Sequence, residues 1–173
     1  MENEVLNTIK NRKSVRNYLD KHISREDLET LIKAGMAAPS AVDLRPWAFI
    51  AVMDKSNLIS LADVMPFGKM LPNAGAAVVV CGIPEKSVPG APEYWIQDCS
   101  AASENILLAA ESMGLGTVWL GVHPIPERVE GVRNILNIPE NVVPLNIISI
   151  GYPKGLEKPR DKFNPENIHW DKW

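Results

Sequence analysis

The sequence predicts a mixed fold of helices and strands around one core, on three observations. Helical and strand-like apolar patterns alternate along the chain. Valines fill the middle of the run Ala76–Ile83, as in a buried strand. The 173 residues, 46% of them hydrophobic, can bury one sizeable core and not two comfortable ones. Periodicity alone reads this alternation as α/β. No GxGxxG follows a strand and no Walker sequence is present, so that reading lacks a nucleotide loop.

In chain order, Val5, Leu6 and Ile9 share one helical face and predict a short helix stopping near Asn11. Ser24-Arg25-Glu26-Asp27 is similar to a capping box, and Leu28, Leu31, Ile32 and Met36 form the apolar stripe behind it. That helix runs into a bend bracketed by Pro39 and Pro46, because the residue before each proline is pushed out of the α region. The bend carries Ser40, Asp43 and Arg45 and leads into a strand, Trp47–Met53. Ser56–Val64 reads as a helix with Leu58, Ile59, Leu61 and Ala62 inward. Met65–Pro72 is apolar but broken by prolines and a glycine, and reads as a loop that could lie over a site.

Ala76–Ile83 is the clearest strand, and Pro84–Pro92 is a proline-rich connector. Tyr94–Met113 is the longest helix, with Gly114 as its C-terminal cap. Small Ala101, Ala102, Ser103, Ala109 and Ala110 accompany Ile106, Leu107 and Leu108, so it wants burial on several sides. It is either a central core helix or one that meets a partner chain. Gly116–Val122 is a third strand, and Pro126 opens a helix carrying Val129, Val132 and Leu136. Val142–Ile150 is a fourth strand, whose Pro144 predicts a start at a sheet edge. The tail ends Ile168-His169-Trp170-Asp171-Lys172-Trp173, and its tryptophans suit docking onto a surface such as another subunit.

A net charge of −3 gives nothing that attracts nucleic acid or an anionic membrane globally. Lys10, Arg12, Lys13 and Arg16 nonetheless cluster, which suits a small anion such as a phosphate, or a solvated helix end. Cys81 and Cys99 lack CxxC or His spacing and read as buried thiols of a reducing cytosol, with no metal site. The N-terminus lacks a signal-peptide pattern, and no apolar run reaches the roughly 18 residues of a membrane helix, so the expected location is cytoplasmic. None of His22, His123 and His169 adjoins a Ser or Cys in a triad pattern, and no catalytic side chain is assigned.

Four stretches carry a resemblance. They are Arg12-Lys13-Ser14-Val15-Arg16-Asn17-Tyr18, the bend Ala38-Pro39-Ser40-Ala41-Val42-Asp43-Leu44-Arg45-Pro46-Trp47, Gly114–Gly121, and Ile150-Gly151-Tyr152-Pro153 with Lys158-Pro159-Arg160. In this order, from about residue 7 to the C-terminus, they resemble the nitroreductase family of flavin mononucleotide (FMN) enzymes. The resemblance implies an α+β fold, a central sheet flanked by helices, in one domain over residues 1–173, built as an intertwined homodimer. Asp43 and Arg45 stand where the family usually has Asn and Gln.

The resemblance further implies that Arg12, Lys13, Ser14 and Arg16 bind the FMN phosphate and ribityl chain, with Lys158 and Arg160 closing on the phosphate. Pro39, Ser40, Ala41 and Asp43 match positions placed against the flavin across the dimer interface. Leu120 and Gly121 match a backbone segment on the other side of the ring. An ionised Asp43 accepts from the ring N–H but cannot donate as Asn does. Arg45 could favour reduced flavin if it lies near the pyrimidine edge, or it could pair with Asp43. The activity implied is hydride transfer from NADH or NADPH through FMN to a small-molecule acceptor such as a nitroaromatic or quinone. Reductive dehalogenation or flavin breakdown, and a flavin-binding module without turnover, are the alternatives.

Overall fold

The computed structural model describes residues 3–173. Helices and strands alternate as α1 (Glu4–Asn11), α2 (Arg25–Met36), β1 (Trp47–Val52), α3 (Lys55–Val64), β2 (Ala76–Gly82), α4 (Tyr94–Ser112), β3 (Gly116–Gly121), α5 (Pro126–Leu136) and β4 (Val143–Gly151). All neighbouring strands are antiparallel, in the order β1-β2-β4-β3. The fold is therefore α+β, and the α/β reading from periodicity fails on strand direction.

Local chemistry explains where the helices begin and end. Ser24 Oγ accepts the Asp27 N–H at 3.0 Å and starts α2. Asp54 accepts the Asn57 N–H at 3.0 Å, so α3 opens at Lys55, one residue before the expected Ser56. At the end of α4, Leu115 N–H donates to Ala110 O at 2.8 Å and Gly114 N–H to Glu111 O at 3.0 Å, the paired bonds of a Schellman cap.

The sheet is covered on both faces. Ala77, Val79 and Cys81 of β2 pack with Leu58 and Leu61 of α3 and Val132 of α5. Ala76, Val78 and Val80 point the other way, towards Leu28 and Leu31 of α2 and Ile106 and Leu107 of α4. Helix α4 is thus a core helix between α2 and the sheet, which accounts for its small residues. Met65, Met70 and Leu71 of the proline-broken stretch are buried in the α3 and α5 layer, while Phe67 is exposed.

Pro144 meets the expectation of a sheet edge in part, because the pairing of β4 with β3 reaches only to Asn146 and leaves the start of β4 paired with β2 alone. Strand β4 is an inner strand, and Pro144 lies opposite Cys81, where the β2–β4 register shifts after Val80. The irregular pairing accommodates a residue that has no N–H to donate. Among the described residues, no helix is long and apolar enough to cross a membrane.

Candidate functional site

After α1 the chain runs extended along the β3 edge of the sheet. Ser14 bridges Thr117 in parallel, and the Val15 N–H donates to Thr117 O at 2.8 Å. Four residues on, Leu19 N–H donates to Tyr152 O at 2.8 Å, beyond the end of β4. Val15 and Tyr18 turn into the core, and two glycines make room for them. A Cβ at Gly116 would lie 2.7 Å from Val15, and one at Gly151 would lie 2.6 Å from the Tyr18 ring. The Tyr18 hydroxyl donates to Val15 O at 2.7 Å and meets Ser149 Oγ at 2.6 Å. Burial pushes its pKa up to about 12, against the opposing effect of the Ser149 bond.

With Val15 and Tyr18 turned inward, Arg12, Lys13, Ser14 and Arg16 line a cleft of about 450 Å³. Its other wall is the chain beyond β4, contributing Glu157, Lys158, Arg160 and Lys162. The structure thus brings together both cationic sets named from the sequence. Sequence reasoning missed Glu157 and Lys162. Lys162 was findable, because Lys158, Arg160 and Lys162 recur at every second position, and alternate residues of an extended chain share a face.

The cleft's cations are not equivalent. Arg12 pairs with Glu104 at 3.1 Å and Lys13 with Glu111 at 3.1 Å, both acids on α4. Among the described residues, Arg16, Lys158, Arg160 and Lys162 have no carboxylate within ion-pair distance. Glu157 Oε1 accepts the backbone N–H of Arg16 at 3.1 Å and of Asn17 at 3.3 Å, and the Asn17 side-chain amide at 3.0 Å. Burial works against its charge, and these bonds outweigh that effect, leaving its pKa below the ordinary value of 4.5. Its Oε2 is buried without a partner. Cations without acid partners suit a phosphate dianion.

The bend lies elsewhere. Ala41–Asp43 forms one 3-10 turn, and Val42, Asp43 and Arg45 have φ of 53°, 57° and 50°, the left-handed region that bulky residues avoid. Local bonds hold this strain. Ser40 Oγ accepts the Arg45 N–H at 3.0 Å, and the buried Asp98 of α4 accepts the Ala41 N–H at 2.9 Å. Pro39 precedes them at the end of α2. Arg45 Nε donates to Asp43 Oδ1 at 2.7 Å, and this bond holds the exposed Asp43 carboxyl below its ordinary pKa. Arg45 is therefore already paired with Asp43. Asp98 was a missed residue whose one sequence signal is a lone acid on an otherwise buried helix face.

Leu120 and Gly121 end β3. The Leu120 side chain is buried in the core, so it can meet a ligand only through its backbone. Gly121 is part-exposed, with no atom within 4 Å of a Cβ built on it. Four residues separate it from Thr117, about 13 Å along the strand. The cleft and Gly121 thus share one strand edge. The bend joins β1 at the opposite edge, three strand spacings or about 14 Å away, at the same end of the sheet as Gly121.

Comparison with known proteins places this geometry in a family. The model of the "Nitroreductase family" matches residues 9–74 and 68–152. A protein of Archaeoglobus fulgidus, provisionally named NADH dehydrogenase/NAD(P)H nitroreductase, is 49% identical, over 98% of this chain and 99% of its own. A crystal structure from Parabacteroides distasonis, named in the same provisional way, is 51% identical with a TM-score of 0.94. It covers 99% of this chain and 100% of its own. An FMN-dependent nitroreductase from Clostridium difficile is 32% identical with a TM-score of 0.89, over 97% and 99% of the two chains. The chain belongs to the nitroreductase family.

Proposed function

We propose that the protein is an FMN-dependent oxidoreductase, one domain over residues 1–173, acting as a homodimer on a small-molecule acceptor. Bound in the cleft, FMN would supply hydride transfer between NADH or NADPH and a nitroaromatic, a quinone or a similar acceptor, in two separate half-reactions. The observation that carries this reading is the cationic cleft, whose Arg16, Lys158, Arg160 and Lys162 have no carboxylate partner among the described residues. FMN offers the matching group, a phosphate dianion for the cations. The naming of the Clostridium difficile neighbour as FMN-dependent supports the same assignment.

In this reading Arg16, Lys158, Arg160 and Lys162 hold the phosphate, while Arg12, Lys13 and Ser14 shape the wall beside it. The backbone of Leu120 and Gly121 approaches the ring further along β3. Pro39, Ser40, Ala41 and Asp43 reach the ring from the partner subunit, because within one chain the bend and Gly121 occupy opposite sheet edges. The location is the cytoplasm. The test is an absorption spectrum of the purified protein followed by NADH and NADPH oxidation with a quinone. Flavin bands and steady turnover are expected; a colourless protein that binds no added FMN overturns the reading.

A further inference from the structure

Glu157 is the cleft residue least expected at an anion site, since a carboxylate beside a phosphate repels it. It nevertheless stands in the wall with Arg16, Lys158, Arg160 and Lys162. It makes no ion pair with any of them. Its Oε1 instead takes three donors from Arg16 and Asn17, at 3.1, 3.3 and 3.0 Å, across 140 or more residues of sequence.

Those bonds matter because little else holds this part of the chain. Lys154 N–H donates to Asn17 O at 3.1 Å. From there to Asn164, among the described residues, no backbone hydrogen bond ties the chain to the rest of the protein. The one other bond in the stretch is local, from Phe163 N–H to Asp161 at 3.0 Å. Glu157 is thus the polar tie at the root of a strap without helix or strand, whose Lys158, Arg160 and Lys162 line the cleft.

We infer that Glu157 is a positioning residue, a clamp that holds this cationic strap against Arg16 and favours phosphate binding through its reach although its charge opposes it. The inference rests on the FMN reading above. Charge and reach give opposite signs. If Glu157 acted only as a charge, its removal would tighten FMN. As a clamp, its removal frees the strap and weakens FMN.

Three variants separate these effects, with FMN and riboflavin affinities read by flavin fluorescence. Glu157→Ala removes the carboxylate, Glu157→Asp keeps the charge and loses reach, and Glu157→Gln keeps an acceptor of the same length without the charge. We expect Ala and Asp to weaken FMN about tenfold, riboflavin to be unchanged, and Gln to stay within about threefold of wild type. Tighter or unchanged FMN binding by Glu157→Ala, or equal losses for FMN and riboflavin, would overturn the clamp. If the alanine variant does not fold, the Asp and Gln pair decides alone: an aspartate variant that binds FMN like wild type overturns it. Amide exchange on flavin-free protein tests the clamp independently of the cofactor. Faster exchange at Arg16 and Asn17 in Glu157→Asp than in Glu157→Gln supports it, and equal exchange overturns it. Failure of the wild type to bind FMN, with that exchange difference intact, sinks the flavin reading and not the clamp.

Discussion

Arg12 and Arg16 bring the same charge to the cleft and differ in what already holds it. Glu104 fixes the Arg12 guanidinium, while Arg16 has no acid partner among the described residues. A charge-assisted hydrogen bond contributes about 1.5–3 kcal/mol, or roughly 10- to 150-fold in affinity. We therefore expect Arg16→Ala to weaken FMN by that factor and to leave riboflavin nearly unaffected. Arg12→Ala should cost less, because it also releases Glu104. Isothermal titration of both variants checks the order, and a larger loss at Arg12 would reverse the assignment. The N-terminal cations were legible in the sequence because they cluster. Glu157 was not, because its value as a clamp depends on Arg16 and Asn17, which only the fold brings near. The pairing of Arg45 with Asp43 was one of two readings open in the sequence, and the hydrogen bond between them, on left-handed backbone at both residues, decides for it.

At the scale of elements, β2 shows why periodicity misread the sheet. All seven of its residues are buried, since α2 and α4 cover one face and α3 and α5 the other. A strand buried on both faces reads as a continuous apolar run, the usual mark of a parallel strand. Strand direction is invisible in such a run. Pro144 marked the part of β4 that β3 does not reach, but the register shift beside it was not legible, because such a shift is a property of two strands and not of one sequence.

The same burial sets the response to alkali. Burial pushes Cys81 of β2 and Cys99 of α4 up to about 12 each, and Tyr18 up to about 12. A raised folded-state pKa contributes stability that is complete below the unfolded value and lost as pH rises towards the folded one. The window opens near pH 9 for the thiols and near pH 10 for Tyr18, and closes near 12. Each group then steepens the loss by up to about 1.4 kcal/mol per pH unit. Urea midpoints measured from pH 8 to 11 should stay level and then fall above pH 9. A flat profile to pH 11 would show that these groups titrate normally.

The whole molecule leaves apolar surface that one chain does not cover. Val42 on the strained bend is 80% exposed, and Trp170 and Trp173 at the tail are 84% and 100% exposed. The bend and the tail are the segments that the proposed homodimer would bury, and obligate interfaces cover roughly 2,000 Å² or more. We expect sedimentation at micromolar concentration to give a dimer carrying two FMN. A stable flavin-loaded monomer would remove both the dimer and the partner-supplied bend. The order of the elements and the core were largely legible, because each follows from local pattern. The division of the site between two edges of the sheet was not, since it depends on strand order.

The joining of residues near 16 to residues near 157 also has a consequence for biosynthesis. A nascent chain that stops before Glu157 already holds the four strands and five α-helices of the described residues, yet it has only one wall of the cleft. The contact that completes that cleft spans 141 residues, among the most distant the chain can make. Such contacts must wait for the chain ends to meet, which carries the highest loop-closure cost. On the proposed reading, cofactor loading therefore follows completion of the chain, and a truncation that removes Glu157–Lys162 takes away one wall of the cleft.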